Sequence, residues 1–441
     1  MAVHPIEFRY GREPMRAVWE EESKLRNLLS VEAALAKAHA DVGNIPKPAA
    51  AEISKAVPKV TLARVKEIDE EIQHDIMAVV KALSEKSGDS GKYIHFGATS
   101  YDIVDTAYAI QIGQALEIIE EDLTDLKKVL LKLSKETKNL VCVGRTHGQH
   151  ATPTTYGLRF ALWACEIDRH LERLRQSRPR LLVGKMSGAT GTGAALGPKQ
   201  LEIQNLVMKQ LGLKPAQVSS QIIQRDRHAE YTNLLALISQ SLNKIGVNVR
   251  SWQRTEIGEV FEKFDKKKQV GSSTMPHKQN PIHFERVCGL SRVITGLAFT
   301  QLQNIPLWDE RDLTNSSPER ITLPESSILL DYILHLTIKG LSSLGFNKDK
   351  IEANLNLSQG LILTERFMIE LTNKGMGRQE AHELMRKLAI KSHSTGKKFS
   401  DTLKEDETVS NHLTAKQIDT LSDPHTYTGT AAKQVEAVLK K

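Results

Sequence analysis

The stretch Gly271-Ser272-Ser273-Thr274-Met275-Pro276-His277-Lys278-Gln279-Asn280-Pro281 gathers adjacent hydroxyls, an imidazole and an ammonium between a glycine and two prolines. Glycine frees the backbone and proline fixes its bends, so such a loop can swing and still be aimed. Asn280 is a good N-cap and Pro281 suits a first helical position, which predicts a helix carrying Ile282, Val287, Leu290 and Val293. Free amides and the positive dipole end at that helix start attract an anion, and Lys278 adds a full charge. The chemistry on offer is capture of an anionic ligand by a hinged loop.

Other polar clusters fall at predicted helix starts. Gly144-Arg145-Thr146-His147-Gly148-Gln149-His150-Ala151-Thr152-Pro153 crowds two histidines and an arginine ahead of a helix, with Thr152 as expected cap and Pro153 at its first position. Gln221 and Gln224-Arg225-Asp226-Arg227-His228 precede another helix. The run from Trp308 through Arg311, Ser316 and Ser317-Pro318 to Arg320 precedes a third. In Tyr93-Ile94-His95-Phe96-Gly97-Ala98-Thr99-Ser100-Tyr101-Asp102, Thr99 or Ser100 can cap a long helix, and Thr99 with Asp102 has capping-box spacing. His74-Asp75 lies in the pattern Ile68, Ile72, Ile76, Val79, Val80, so it is expected on or beside a buried helix stripe, as a tuned acid, an anion contact or a core-edge histidine. Phe8-Arg9-Tyr10-Gly11-Arg12 is a short basic and aromatic arm. The glycine run Gly184-Lys185-Met186-Ser187-Gly188-Ala189-Thr190-Gly191-Thr192-Gly193 lacks a Gly-Lys-Ser/Thr ending and a surrounding parallel sheet, so a flexible turn is expected there.

What positions these clusters is helical. Aromatic residues make up 5% of the 441 residues and charged ones 26%, and Leu, Ala, Ile, Lys and Glu recur at helical spacing, which favours an all-α protein. Residues 1–105 alternate helices and turns. Residues 106–345 read as five long amphipathic helices marked by Ile110–133, Leu158–171, Leu234–252, Ile282–302 and Ile328–344, an elongated bundle with wide apolar faces suited to oligomer packing. Residues 346–441 return to shorter helices over 354–371, 379–392 and 415–421, a small cap domain. The 60 basic and 53 acidic residues are interspersed, so the net charge of +7 suits an anionic small molecule and gives no nucleic-acid footprint. Cys142, Cys165 and Cys288 are sparse and lack metal-ligand spacing, which argues for a reducing compartment without disulfides or zinc. No leader pattern opens the chain and no apolar run is long enough for a bilayer, so a cytoplasmic protein with no membrane partner is expected.

The loop from Gly271 to Pro281 resembles the signature of the fumarase/aspartase/argininosuccinate lyase superfamily, Gly-Ser-Ser-x-Met-Pro-x-Lys-x-Asn-Pro, at every fixed position. Together with Arg9-Tyr10, the stretch from His95 to Thr106, that from Gly144 to Gly157, and Trp308-Asp309-Glu310-Arg311, it resembles the adenylosuccinate lyase branch over nearly the whole chain. The resemblance implies three helical domains, the central one forming a tetramer core, and active sites shared between subunits of a homotetramer. It implies cleavage of adenylosuccinate to AMP and fumarate, and of succinylaminoimidazole-carboxamide ribotide to its free carboxamide and fumarate, without metal or organic cofactor. Carried over position by position, Ser272 matches the base and His147 the acid. Arg9, Tyr10, His74, Asp75, His95, Thr99, Ser100, Gln221, Lys278, Asn280, Arg311, Ser316 and Arg320 match binding or active-site positions. Tyr101 and Gln73 depart from residues found in many relatives. The signature alone does not choose the leaving group, so argininosuccinate cleavage or carboxymuconate cycloisomerisation stays open, as does an inactive helical scaffold.

Overall fold

The computed structural model describes residues 4–263, 275 and 278–440, and the chain is all-α, about 70% helical with a few short strands. Ser272, the base implied by the resemblance, lies outside the described residues. The helices that position the site are α1 (Glu21–Asp41), α2 (Leu62–Ile72), α3 (Asp75–Lys86), α4 (Ser100–Glu136), α5 (Tyr156–Leu181), α6 (Asp226–Trp252), α7 (Ile282–Leu302) and α8 (Ser316–Ser342). Between α4 and α5 stands an antiparallel hairpin of β1 (Val141–Thr146) and β2 (Gln149–Thr155). The five long helices expected from apolar spacing are α4 to α8. Contacts divide the chain into two compact units, one of residues 1–124, 169–243 and 286–336, the other of 125–168, 244–285 and 337–441.

In the first unit, α4 buries Ile112, Leu116, Ile119 and Leu123, and α6 buries Tyr231, Leu235, Ile238 and Leu242. Alternating steps of three and four residues put each set on one helix face, which is why these segments form helices that pack. The start of α4 is held by Asp102, whose carboxylate is fully buried. It accepts the Thr99 amide at 2.9 Å, the Ser187 amide at 2.8 Å and the Gly188 amide at 3.0 Å, and pairs with the buried Lys185 ammonium. The capping-box expectation holds on its carboxylate side. The glycine run divides: residues 184–188 correct the expectation, being buried and tied to Asp102, which serves the Lys185 ammonium and two amides as one shared acceptor, while residues 189–192 form a largely exposed turn as expected.

His74 also departs from expectation. Its segment is not one helix stripe: α2 ends at Ile72, Gln73 takes a left-handed φ of 53°, and His74 caps α3 by accepting the Met77 amide at Nδ1, 3.3 Å away. An apolar pattern that runs through both helices hides such a break, because the local cap decides it.

In the second unit, the stretch after Gly144 is a hairpin, not the approach to a helix. His147 and Gly148 form its two-residue tip with φ of 54° and 75°, the left-handed pair that suits a tight hairpin. Helix α5 therefore begins at Tyr156, with Thr155 Oγ1 accepting the Leu158 amide at 3.2 Å; Thr152 and Pro153 lie in β2. Tyr156, Phe160, Trp163, Trp252 and Phe346 pack together, Trp163 and Trp252 stacking at 5.5 Å. Buried Glu259 accepts from Tyr156, Arg145 and Asn354, and so ties the hairpin to this cluster. The expected 354–371 helix is interrupted: residues 348–356 and 364–373 are separate helices, while 415–421 is a helix as expected. Asn280 and Pro281 stand just ahead of α7, one residue from the expected cap positions.

Candidate active site

One cleft in the first unit, about 590 Å³ in volume, is lined by six of the residues singled out from the sequence: His74, Asp75, Ser100, Arg311, Ser316 and Arg320. Its walls are helix ends. The N-terminus of α3 brings His74 and Asp75, the first turn of α4 brings Ser100 and Tyr101, and the first turns of α8 bring Ser316 and Arg320. Helix starts converge because their free amides and capping groups are the polar parts of an otherwise apolar bundle.

The charges in this cleft are paired unevenly. Arg320 Nη2 lies 2.7 Å from Asp75 Oδ2, and Asp75 Oδ1 accepts the Ile76 amide at 2.8 Å. Burial works to raise the Asp75 pKa, but Arg320 and Lys24 outweigh it and hold the carboxyl below its ordinary range. Arg311 lies over the Tyr101 ring at 3.5 Å and donates from Nη1 to Gln221 Oε1 at 3.0 Å, while Gln221 donates in turn to Ala189 O. Arg311 Nε and Nη2 are buried and meet no acceptor among the described residues. Two N–H donors without acceptors cost free energy unless a ligand supplies them. Tyr101 also donates its hydroxyl to Ser316 Oγ at 3.0 Å.

Beneath these groups is a buried ionic network. Arg225 pairs with Asp105 at 2.9 Å and with Glu319 at 3.0 Å. Glu319 also accepts from His228, Gln301 and Asn315. Burial pushes the Glu319 pKa up, but His228, Arg225 and Gln301 bring it down to about 2. Because Glu319 lies between Ser316 and Arg320 in α8, the network fixes the turn that presents both.

His95 is in the same unit but does not line the cleft. It has a φ of 62°, and its Nδ1 lies 2.6 Å from Oε1 of buried Glu32 while its amide donates to Oε2. Burial disfavours its charged form, yet the Glu32 hydrogen bond and the charges of Glu32 and Asp102 win, and the pKa is raised. Thr99 stands at the start of α4, held through Asp102. Arg9 and Tyr10 are joined by a hydrogen bond, the Tyr10 ring packing 5.8 Å from Tyr332, and neither lines the cleft.

The second unit carries the remaining described candidates. His147 is exposed at the hairpin tip, Lys278 is exposed with its amide donating to Met275 O at 3.0 Å, and Asn280 is half-buried ahead of α7. Sequence reading missed Glu32, Glu319 and Lys24, and it gave Asp102 only a capping role. Tyr101, noted as a departure, is the platform for Arg311. Among the described residues no cluster of His, Cys, Asp and Glu is arranged to hold a metal ion, and no helix is long and apolar enough to cross a membrane.

Comparison with known proteins points one way. Residues 7–296 match a family described as lyase, and residues 360–438 match the adenylosuccinate lyase C-terminus. Over its whole length the chain is 56% identical to an adenylosuccinate lyase of Methanocaldococcus jannaschii, covering 96% of that protein. It is 55% identical to one of Pyrococcus abyssi, covering 98% of it. Among solved structures, a fumarate lyase from Mesorhizobium sp. BNC1 is similar with a TM-score of 0.90 and 31% identity over 98% of both chains. A 3-carboxy-cis,cis-muconate lactonizing enzyme from Pseudomonas putida has a TM-score of 0.89 and 31% identity over 99% of this chain and 98% of that one.

Proposed function

Because the chain belongs to the adenylosuccinate lyase family, we propose that it cleaves adenylosuccinate to AMP and fumarate by β-elimination, and splits succinylaminoimidazole-carboxamide ribotide in the same way. The observation that carries this reading is full-length identity above half to adenylosuccinate lyases. The first-unit cleft supports it, with Arg320, Arg311, Ser316 and His74 disposed around a space fit for an anionic nucleotide. The lactonizing enzyme shares the fold at lower identity, so the fold alone does not set the leaving group.

Ser272 is the base that takes the proton from the carbon beside a carboxylate, and His147 the acid that protonates the departing nitrogen. Proton removal places a second negative charge on the carboxylate, and a donor aimed at that charge contributes about 3 kcal/mol. Lys278 and the amides around Asn280 supply such donors. A serine hydroxyl becomes a competent base near neutrality only if its pKa falls by roughly six units, about 8 kcal/mol. Closure of a glycine-hinged loop over the substrate, with water expelled and a cation at hand, is the means available to this sequence. Arg9, Tyr10, Thr99, Ser100, Gln221 and His95 complete the binding set.

The complete site forms in a homotetramer, with the cleft of one copy meeting His147 and the signature loop from others, in the cytoplasm. In support, His147 is solvent-exposed at a turn tip and has no hydrogen bond among the described residues. Mixing the protein with adenylosuccinate tests the activity directly: ultraviolet absorbance changes as AMP forms. Turnover of argininosuccinate alone would transfer the chain to a sister reaction.

A further inference from the structure

Lys24 lines the same cleft as Asp75, Ser316 and Arg320. It is the fourth residue of α1, its amide donating to Glu20 O at 3.0 Å, so its charge stands near the positive end of that helix dipole. A cation there is disfavoured by the helix itself. Arg320 adds repulsion: burial lowers the Lys24 pKa, the Arg320 charge lowers it further, and Asp75 and Glu21 oppose them only in part.

No hydrogen bond or ion pair within 4 Å engages the Lys24 ammonium among the described residues. The nearby carboxylate is already committed, Asp75 accepting Arg320 at one oxygen and the Ile76 amide at the other. Asp69 and Glu70 line the cleft from α2 without pairing to either cation among the described residues. Two neighbouring cations thus share one carboxylate. This arrangement is unfavourable when empty and favourable around a ligand bearing close to two negative charges.

A phosphate monoester has that charge near neutrality and three acceptor oxygens, whereas a carboxylate has one charge and a planar pair of oxygens that a single arginine can satisfy. Arg311, with Nε and Nη2 both lacking acceptors, already offers such a fork. Lysine binds phosphate as a compact point charge. Ser316 adds a hydroxyl, and His74, accepting the Met77 amide at Nδ1, keeps Nε2–H as a donor when neutral.

We propose that Lys24 is a substrate-binding residue that, with Arg320, recognises the phosphate group of the nucleotide. The assignment rests on the nucleotide-cleaving reading of this cleft. The test compares the full-length wild type with Lys24→Met and Lys24→Arg, each checked for native circular dichroism and oligomeric state. Calorimetric titration with AMP and with adenosine needs no turnover: the AMP affinity of Lys24→Met falls at least tenfold, adenosine affinity is unchanged, and Lys24→Arg recovers most of the AMP affinity. In steady-state assays KM for adenylosuccinate rises by a similar factor while kcat stays within about threefold, and inhibition by fumarate is unaltered. Equal AMP affinity in wild type and Lys24→Met overturns the proposal, and so does weakened fumarate inhibition with AMP binding intact. Wild-type protein that binds AMP but does not cleave adenylosuccinate would instead sink the reaction assigned above, leaving Lys24 to be judged by the titrations.

Discussion

Glu32 Oε1 lies 2.6 Å from His95 Nδ1, with the same carboxylate also accepting the His95 amide. Glu32 is buried on α1 and the histidine backbone is held at a φ of 62°, so one acidic side chain fixes both the ring and the turn that carries it. Its remaining nitrogen, Nε2, is left for other partners.

This pair makes stability depend on pH with a defined sign. The folded pKa of His95 is raised, so the protonated form is the one folding favours. The stabilisation is fully present below the ordinary histidine value of about 6.5 and is lost as pH rises through the raised folded value. Glu32→Gln leaves burial less opposed and lowers the His95 pKa, costing about 2 kcal/mol at pH 5 and much less at pH 9. Proton-detected histidine titration with thermal melts at both pH values checks it; a Glu32→Gln loss equal at pH 5 and 9 would contradict this sign.

Tyr101 has two separable contributions. Tyr101→Phe keeps the ring under Arg311 and removes only the hydroxyl bond to Ser316, so KM rises about fivefold, near 1 kcal/mol. Tyr101→Ala also removes the cation–π contact and raises KM roughly tenfold beyond that. Steady-state kinetics on both variants decide the matter, and equal effects would show that the ring contributes nothing.

Asp102 holds the start of α4 against the buried glycine-rich segment. Asp102→Ala leaves the Lys185 ammonium buried without its partner and the Thr99, Ser187 and Gly188 amides without that acceptor. Breaking such a pair costs about 3–5 kcal/mol. Urea denaturation should show the midpoint falling with little change in slope; a loss under 1 kcal/mol would mean that Lys185 finds another acceptor or water.

Ser272→Ala and His147→Ala each abolish turnover, by a thousandfold or more, while far-ultraviolet circular dichroism and native mass stay those of the wild type. If loop and histidine come from different copies, mixing the two inactive variants after mild dissociation restores part of the activity. Mixed assemblies that remain inactive would favour a site completed by one chain.

Part of the candidate cleft was readable because local rules write it into the chain. The helix starts bearing Ser100, Ser316 and Arg320 announce themselves through hydroxyl, proline and acidic residues, and the glycine, hydroxyls and lysine of residues 271–281 form a contiguous sequence pattern. Less legible were the hairpin at His147 and the break at His74. Thr152-Pro153 imitates a helix start, and the apolar period of α2 runs on into α3, so local patterns there have two solutions.

The sequence by itself determined an all-α chain, the spans of its long helices and the polar clusters at their ends, because apolar periodicity and capping chemistry act over a few residues. Tertiary structure alone decided which ends meet. It set Arg320 against Asp75 from 245 residues away, Glu32 beneath His95, Asp102 against Lys185 and Lys24 beside Arg320. Those partners are buried or charged groups whose cost is met only by contacts distant in the chain, and no spacing rule in one dimension records them.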